Sequence, residues 1–137
     1  MKYLLDTDIC VYLLKGNDRI EQQILYAGID TIAISFVTVS ELYYGAYKSQ
    51  RVSVNLELIH KLIDQLDVVE SNESISEAFG YLKAGLESAG NCINDADLFI
   101  AACAMVYGLT LVTNNTKHFK RIQGLKLDNW YKEKGKS

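Results

Sequence analysis

Tyr3-Leu4-Leu5-Asp6-Thr7-Asp8-Ile9 decides how the rest of the chain reads. A short apolar run stops at two acids one residue apart, and apolar residues at helical spacing resume over residues 9–14. That is a buried strand handing over to a helix. The pattern recurs. Residues 31–36, rich in β-branched and aromatic side chains, predict a strand, and a helix opens at Thr38-Val39-Ser40-Glu41. Residues 67–69 and 110–112 predict two more strands, and residues 125–127 a last edge strand before a lysine-rich tail. Asn17 or Asp18 caps a helix carrying Ile20, Ile24 and Leu25. Further helices are predicted over 53–66, over 74–89 with Gly90 as the stop, over 95–107 with Gly108 as C-cap, and briefly over 114–119. Short apolar strands alternating with helices predict one α/β domain over residues 1–137. Its sheet is short and mostly parallel, with helices on both faces.

Composition narrows the function classes. At 137 residues and 49% apolar content, the chain fits one globular domain with a real core. A formal charge of −3 does not advertise nucleic-acid binding, so such a partner would be held by local basic patches and by metal. Cys10, Cys92 and Cys103 are odd in number and lack metal-ligand spacing, so they read as reduced, mostly buried small residues. His60 reads as a surface residue, and His118 as an ordinary helix residue, with contact to a phosphate as its alternative. With only these two histidines, and no G-x-S-x-G, P-loop or G-x-G-x-x-G, serine-triad, zinc and dinucleotide chemistry find no support. Met1-Lys2 leads straight into the first apolar run with no signal-peptide pattern, and no apolar run reaches the roughly 20 residues of a membrane span. A cytoplasmic protein is expected.

Four separated acids remain: Asp6, Glu41, Asp95 and Asp97. Each sits where a strand or turn hands over to a helix. In an open parallel sheet ligands bind outside the carboxyl ends of the strands, so a shared edge would make these acids converge. Each also has a local explanation. Asp6 or Asp8 caps the first helix, Thr38 and Glu41 have capping-box spacing, and Asp95 caps its helix with Asp97 favoured by the dipole. Capping does not account for the second acid of Asp6/Asp8 or of Asp95/Asp97. Two unit charges about 4 Å apart repel by roughly 4 kcal/mol at an effective dielectric of about 20. A native cluster must therefore protonate, hydrogen-bond strongly or hold cations. All-oxygen ligands suit Mg²⁺, with Mn²⁺ next, and a phosphate-bearing substrate.

Taken in order, several stretches carry a resemblance. They are residues 3–9, Ser40-Glu41-Leu42-Tyr43-Tyr44-Gly45-Ala46, residues 90–104, residues 108–115, His118-Phe119-Lys120-Arg121-Ile122, Gly124-Leu125 and Asn129-Trp130. Together they resemble the PIN-domain family, and within it the VapC-like toxins of prokaryotic toxin–antitoxin pairs, over nearly the whole chain. The resemblance implies a Mg²⁺-dependent endoribonuclease that cuts single-stranded RNA by in-line attack of water. It places the metal-holding acids at Asp6, Glu41 and Asp97, with Asp95 where many relatives carry a further acid. The family's fourth position falls on Asn115, neutral here, with Thr113 orienting it; Asp8 stands where relatives commonly carry Asn. It implies a cognate antitoxin covering the acidic crevice, and a homodimer whose surface could come from the apolar helices near residues 9–14 and 20–25, unless these fill the chain's own core.

Lys48, Arg51, Lys117, Lys120 and Arg121 are candidates to hold RNA phosphates, against a simple solvated surface. Tyr43 and Tyr44 are candidates to stack a base, against half-buried packing. Two other readings compete. Leu4-Leu5-Asp6-Thr7-Asp8 also resembles the first motif of haloacid-dehalogenase-like phosphatases, although Cys10 replaces their usual Thr or Val. A neutral Asn115 also suits a module that grips RNA without cutting it.

Overall fold

Leu4 and Leu5 are both fully buried, yet they enter different cores, because neighbouring residues of a strand point to opposite faces. A sheet buried on both sides follows from that pair alone. In the computed structural model, which describes residues 1–132, the sheet has five strands, all parallel: β1 (Tyr3–Leu5), β2 (Ile32–Ser35), β3 (Asp67–Val69), β4 (Thr110–Val112) and β5 (Leu127–Asp128). Their order is β3-β2-β1-β4-β5. The helices are α1 (Thr7–Leu14), α2 (Asp18–Ala27), α3 (Phe36–Lys48), α4 (Val52–Gln65), α5 (Glu73–Ser88), α6 (Asp95–Val106) and α7 (Thr116–Phe119).

One face of the sheet presents Leu4, Ala33, Val69 and Leu111 to Ile75 and Leu86 of α5, Leu98 and Ala102 of α6, and Phe119 of α7. The other presents Leu5, Ile32, Ile34 and Val112 to Ile9, Ile20 and Ile24 of α1 and α2, Leu42 and Ala46 of α3, and Ile59 and Leu62 of α4. The predicted parallel α/β domain with helices on both faces is the fold observed. β1 lies in the middle. The chain first builds outward through β2 and β3, then returns to the other side of β1 for β4 and β5. The order reverses between β1 and β4, and the mouth of that reversal is where such folds bind ligands.

Several local expectations are corrected. Helix α3 begins at Phe36, not Thr38. Ser35 has extended backbone, and its hydroxyl accepts from the Thr38 N–H at 3.1 Å. Glu41 is thus in the second turn and belongs to no capping box. Helix α6 is capped by Asn94, whose side chain accepts from the Asp97 N–H at 2.9 Å, so Asp95 is not its cap. Gly108 lies one residue past the α6 cap, Tyr107. At a φ of 66° it turns the chain so that the Leu109 N–H reaches the Ala104 carbonyl at 2.8 Å, which aims β4 into the sheet. The edge strand is Leu127–Asp128, paired with β4, rather than 125–127.

Of the apolar surface considered for self-association, Ile9, Cys10, Ile20 and Ile24 are buried, Val11, Tyr12, Leu13 and Leu14 half-buried, and Leu25 exposed. Cys10 and Cys103 are buried and Cys92 exposed, all three free. Among the described residues no helix is long and apolar enough to cross a membrane. The lysine-rich tail falls largely on residues 133–137, outside the described residues.

Candidate active site

Asp6 leaves the end of β1 and caps α1, its Oδ1 accepting from the Thr7 N–H at 2.9 Å. Its Oδ2 accepts from the Thr113 hydroxyl at 2.7 Å, just beyond the adjacent β4. Thr113 in turn accepts from the Asn115 N–H at 3.0 Å. Both side chains are buried. The parallel register that pairs Leu5 with Val112 brings Asp6 and Thr113 together across 107 residues.

Asp8 sits on the first turn of α1, half-buried. Its Oδ2 accepts from the Asn114 N–H at 3.3 Å, and its Oδ1 is buried with no hydrogen-bond partner. Asp97 joins from the start of α6. Its Oδ2 accepts from Asn94 Nδ2 at 2.9 Å and lies 3.2 Å from His118 Nε2, an ion-pair distance without hydrogen-bond alignment. These acids act on one another. Burial, and then the negative charge of Asp8, push the Asp6 carboxyl up from its ordinary 3.8 to about 7; Asp97 adds to the rise, while Thr113 and the Thr7 N–H oppose it. Burial chiefly raises Asp8 as well, and Asp97 contributes.

Glu41 reaches the same end of the sheet from α3. Its Oε1 accepts from the Thr7 hydroxyl at 2.6 Å. Because Thr7 spends its proton there, the 3.0 Å contact between Thr38 and Thr7 hydroxyls must have Thr38 donating. Ser35 then donates to Thr38 at 3.4 Å. A line of three hydroxyls, two of them fully buried, thus runs from the end of β2 to Glu41.

The predicted acids do not all meet. Asp6, Asp8 and Asp97 share one electrostatic environment, and Glu41 is tethered beside Asp6 through Thr7. Asp95, the first residue of α6, turns to α5, where Lys83 Nζ donates to its Oδ1 at 2.9 Å at an exposed position. Asn115 is exposed and meets Thr113 through its backbone. Lys48, Arg51, Lys117 and Lys120 are exposed, and Arg121 spends a guanidinium N–H on the Cys92 carbonyl at 3.1 Å. Tyr43 is half-buried with its ring edge against His60, which is exposed as expected. His118 is no ordinary helix residue, since it abuts Asp97.

Sequence reasoning missed Thr7, Thr38, Ser35 and Asn94. Asn94 had a usable signal, an Asn directly ahead of an acid-rich helix start; the three hydroxyls had none.

Among the described residues no three His, Cys, Asp or Glu side chains form a ready-made metal group. A closed protein cage is therefore absent there. Mg²⁺ does not require one, because it commonly takes one or two carboxylates and keeps its waters. The partnerless Asp8 Oδ1 and the mutual repulsion at Asp6 are what a bound cation would relieve, so the residues fit.

A PIN domain family profile matches residues 3–125. The chain belongs to the PIN-domain family. This PIN domain is 40% identical over 134 residues to ribonuclease VapC2 of Rickettsia felis, covering 96% of this chain and 100% of that one. It is 34% identical over 130 residues to the tRNA(fMet)-specific endonuclease VapC of Shigella flexneri, covering 95% and 98%. Its fold matches DNA-bound VapBC from Salmonella typhimurium with a TM-score of 0.91 at 31% identity, covering 95% of this chain and 98% of that one. Membership of the PIN family replaces the phosphatase reading of Leu4–Asp8.

Proposed function

We propose that this PIN domain is a Mg²⁺-dependent endoribonuclease, with Mn²⁺ able to substitute, that hydrolyses single-stranded RNA as the toxin of a cytoplasmic toxin–antitoxin pair. The observation that carries this reading is the mouth between β1 and β4, where Asp8 and Asp97 crowd the buried Asp6 and raise its proton affinity. Similarity to ribonuclease and endonuclease VapC proteins supports the reaction class. Similarity to VapBC, together with the resemblance to VapC-like toxins, supports a cognate antitoxin.

Asp6 and Asp97 would hold the cation, with Glu41 and Asp8 at its flanks. When bound, the cation supplies Lewis-acid stabilisation of charge on the phosphoryl oxygens and lowers the pKa of water. The chain's own work is positioning. Thr113 and the Thr7 N–H fix both oxygens of Asp6. Asn94 and His118 restrain Asp97, and the Ser35–Thr38–Thr7 line fixes Glu41. The hydroxyls nearest these acids, Thr7 and Thr113, are engaged as donors to Glu41 and Asp6, which suits direct attack by water. Asp95 is left out of this constellation.

The test is to incubate the purified protein with total cellular RNA in Mg²⁺ or in EDTA, beside Asp6→Asn and Asp97→Asn, and to map new 5′ ends. Discrete cuts with Mg²⁺ alone, lost in both variants, are expected. RNA binding without cutting, with Mg²⁺ and Mn²⁺ both supplied, would overturn it.

A further inference from the structure

Helix α3 continues past the site, and its exposed side is unusual for an acidic chain. Glu41, Tyr44 and Lys48 stand at i, i+3 and i+7, on one stripe of the helix. Tyr44 is 66% exposed, and Lys48 Nζ sits 5.6 Å from its ring centroid. Tyr47, 67% exposed, borders the stripe. Tyr43, next in sequence, packs on His60 instead and is removed from consideration. At about 1.5 Å rise per residue, Tyr44 lies about 4.5 Å and Lys48 about 10.5 Å along the axis from Glu41.

We propose that this stripe is the path of the RNA strand beside the cut, with a base stacked on Tyr44 and a neighbouring phosphate held by Lys48. The proposal rests on the nuclease reading and extends it. Single exposed aromatic residues are ordinary on protein surfaces and would carry nothing. Here three features coincide: the stripe starts at a carboxylate of the site, it offers π-faces to any base, and it supplies a cation where the chain as a whole is negative. Stacking platforms flanked by cations are how single strands are held without sequence readout. Tyr44 therefore governs grip on RNA and leaves the choice of cleavage site unchanged.

The test uses the full chain as wild type, Tyr44→Ser, Tyr44→Phe and Lys48→Gln. Binding of fluorescein-labelled oligouridine is measured in EDTA across a salt series, and KM and kcat with Mg²⁺ on an RNA the wild type cuts. Tyr44→Ser is expected to raise Kd and KM roughly five- to a hundredfold with kcat nearly unchanged, and Tyr44→Phe to restore both. Lys48→Gln should flatten the slope of log Kd against log salt by about 0.7. Unchanged Kd and KM in Tyr44→Ser, in a wild type that cuts, would overturn the path and leave the nuclease standing. So would a defect confined to self-association or to binding a protein partner. Tyr44-dependent RNA binding by a wild type that never cuts would keep the path and sink the nuclease.

Discussion

The hydroxyl of Thr113 donates to Asp6 Oδ2 at 2.7 Å, joining the ends of two neighbouring strands that lie 107 residues apart. It also accepts from the Asn115 N–H. Thr113→Val keeps the shape and deletes both bonds in a buried setting. We expect a loss of about 1–3 kcal/mol in urea unfolding. Cleavage should fall as well, because Asp6 loses the group that fixes its second oxygen. A Thr113→Val variant as stable and active as wild type would remove Thr113 from the site.

Metal-free stability should fall as pH rises. The Asp6 carboxyl is raised from 3.8 to about 7, so between those values the folded state holds a proton that the unfolded state has released. Stability then declines with rising pH, by up to about 4 kcal/mol once pH passes the folded value. Asp6→Asn removes this titration and should lessen the decline to what the raised Asp8 carboxyl contributes, leaving a metal-free variant steadier than wild type near neutrality. Chemical denaturation in EDTA across this range checks it. Saturating Mg²⁺ should abolish the decline by favouring the ionised carboxylate.

His118 restrains Asp97 from α7 without belonging to the acidic set. Groups that orient a metal-holding carboxylate typically matter tenfold or more for affinity. For His118→Ala we expect the Mg²⁺ concentration for half-maximal cleavage to rise by roughly tenfold, with a parallel loss in Mn²⁺ affinity by calorimetry and an unchanged circular dichroism spectrum. Unchanged metal affinity would reduce the contact to packing.

Asp95 should be dispensable. Its partner is Lys83 on an exposed surface, where ion pairs contribute little. Asp95→Ala should cleave within about twofold of wild type, whereas Asp97→Asn should not cleave. Equal loss in both variants would return Asp95 to the site.

The alternation of strand and helix was legible because burial on both faces leaves a hydrophobic signature that local sequence cannot hide. The candidate acids Asp6, Glu41 and Asp97 stood out in the sequence because each lies close to the start of a helix. Direction was not. Asp95 and Asp97 look equivalent in sequence, yet two residues on a helix differ by about 200° around the axis, and only the packing of α6 against α5 sends one to Lys83 and the other to His118. Caps were misread for a related reason. Thr38 and Glu41 satisfied a spacing rule, while Ser35, at the end of a strand, took the helix start. The hydroxyls that fix Glu41 come from three places that meet only after α1 packs on α3, and nothing in any one segment announces them.

The central seam of the sheet pairs residues 3–5 with residues 110–112, so its two halves leave the ribosome 107 residues apart. Until Thr113 is synthesised, Asp6 has no hydroxyl to fix it, and until residues 94–97 appear Asp97 is missing from beside Asp6 and Asp8. On the proposed nuclease reading, chains that stop short of Thr113 are expected to be inactive, and activity to arise when this seam closes. If the domain is the nuclease proposed above, this topology sets a built-in delay between being made and becoming dangerous.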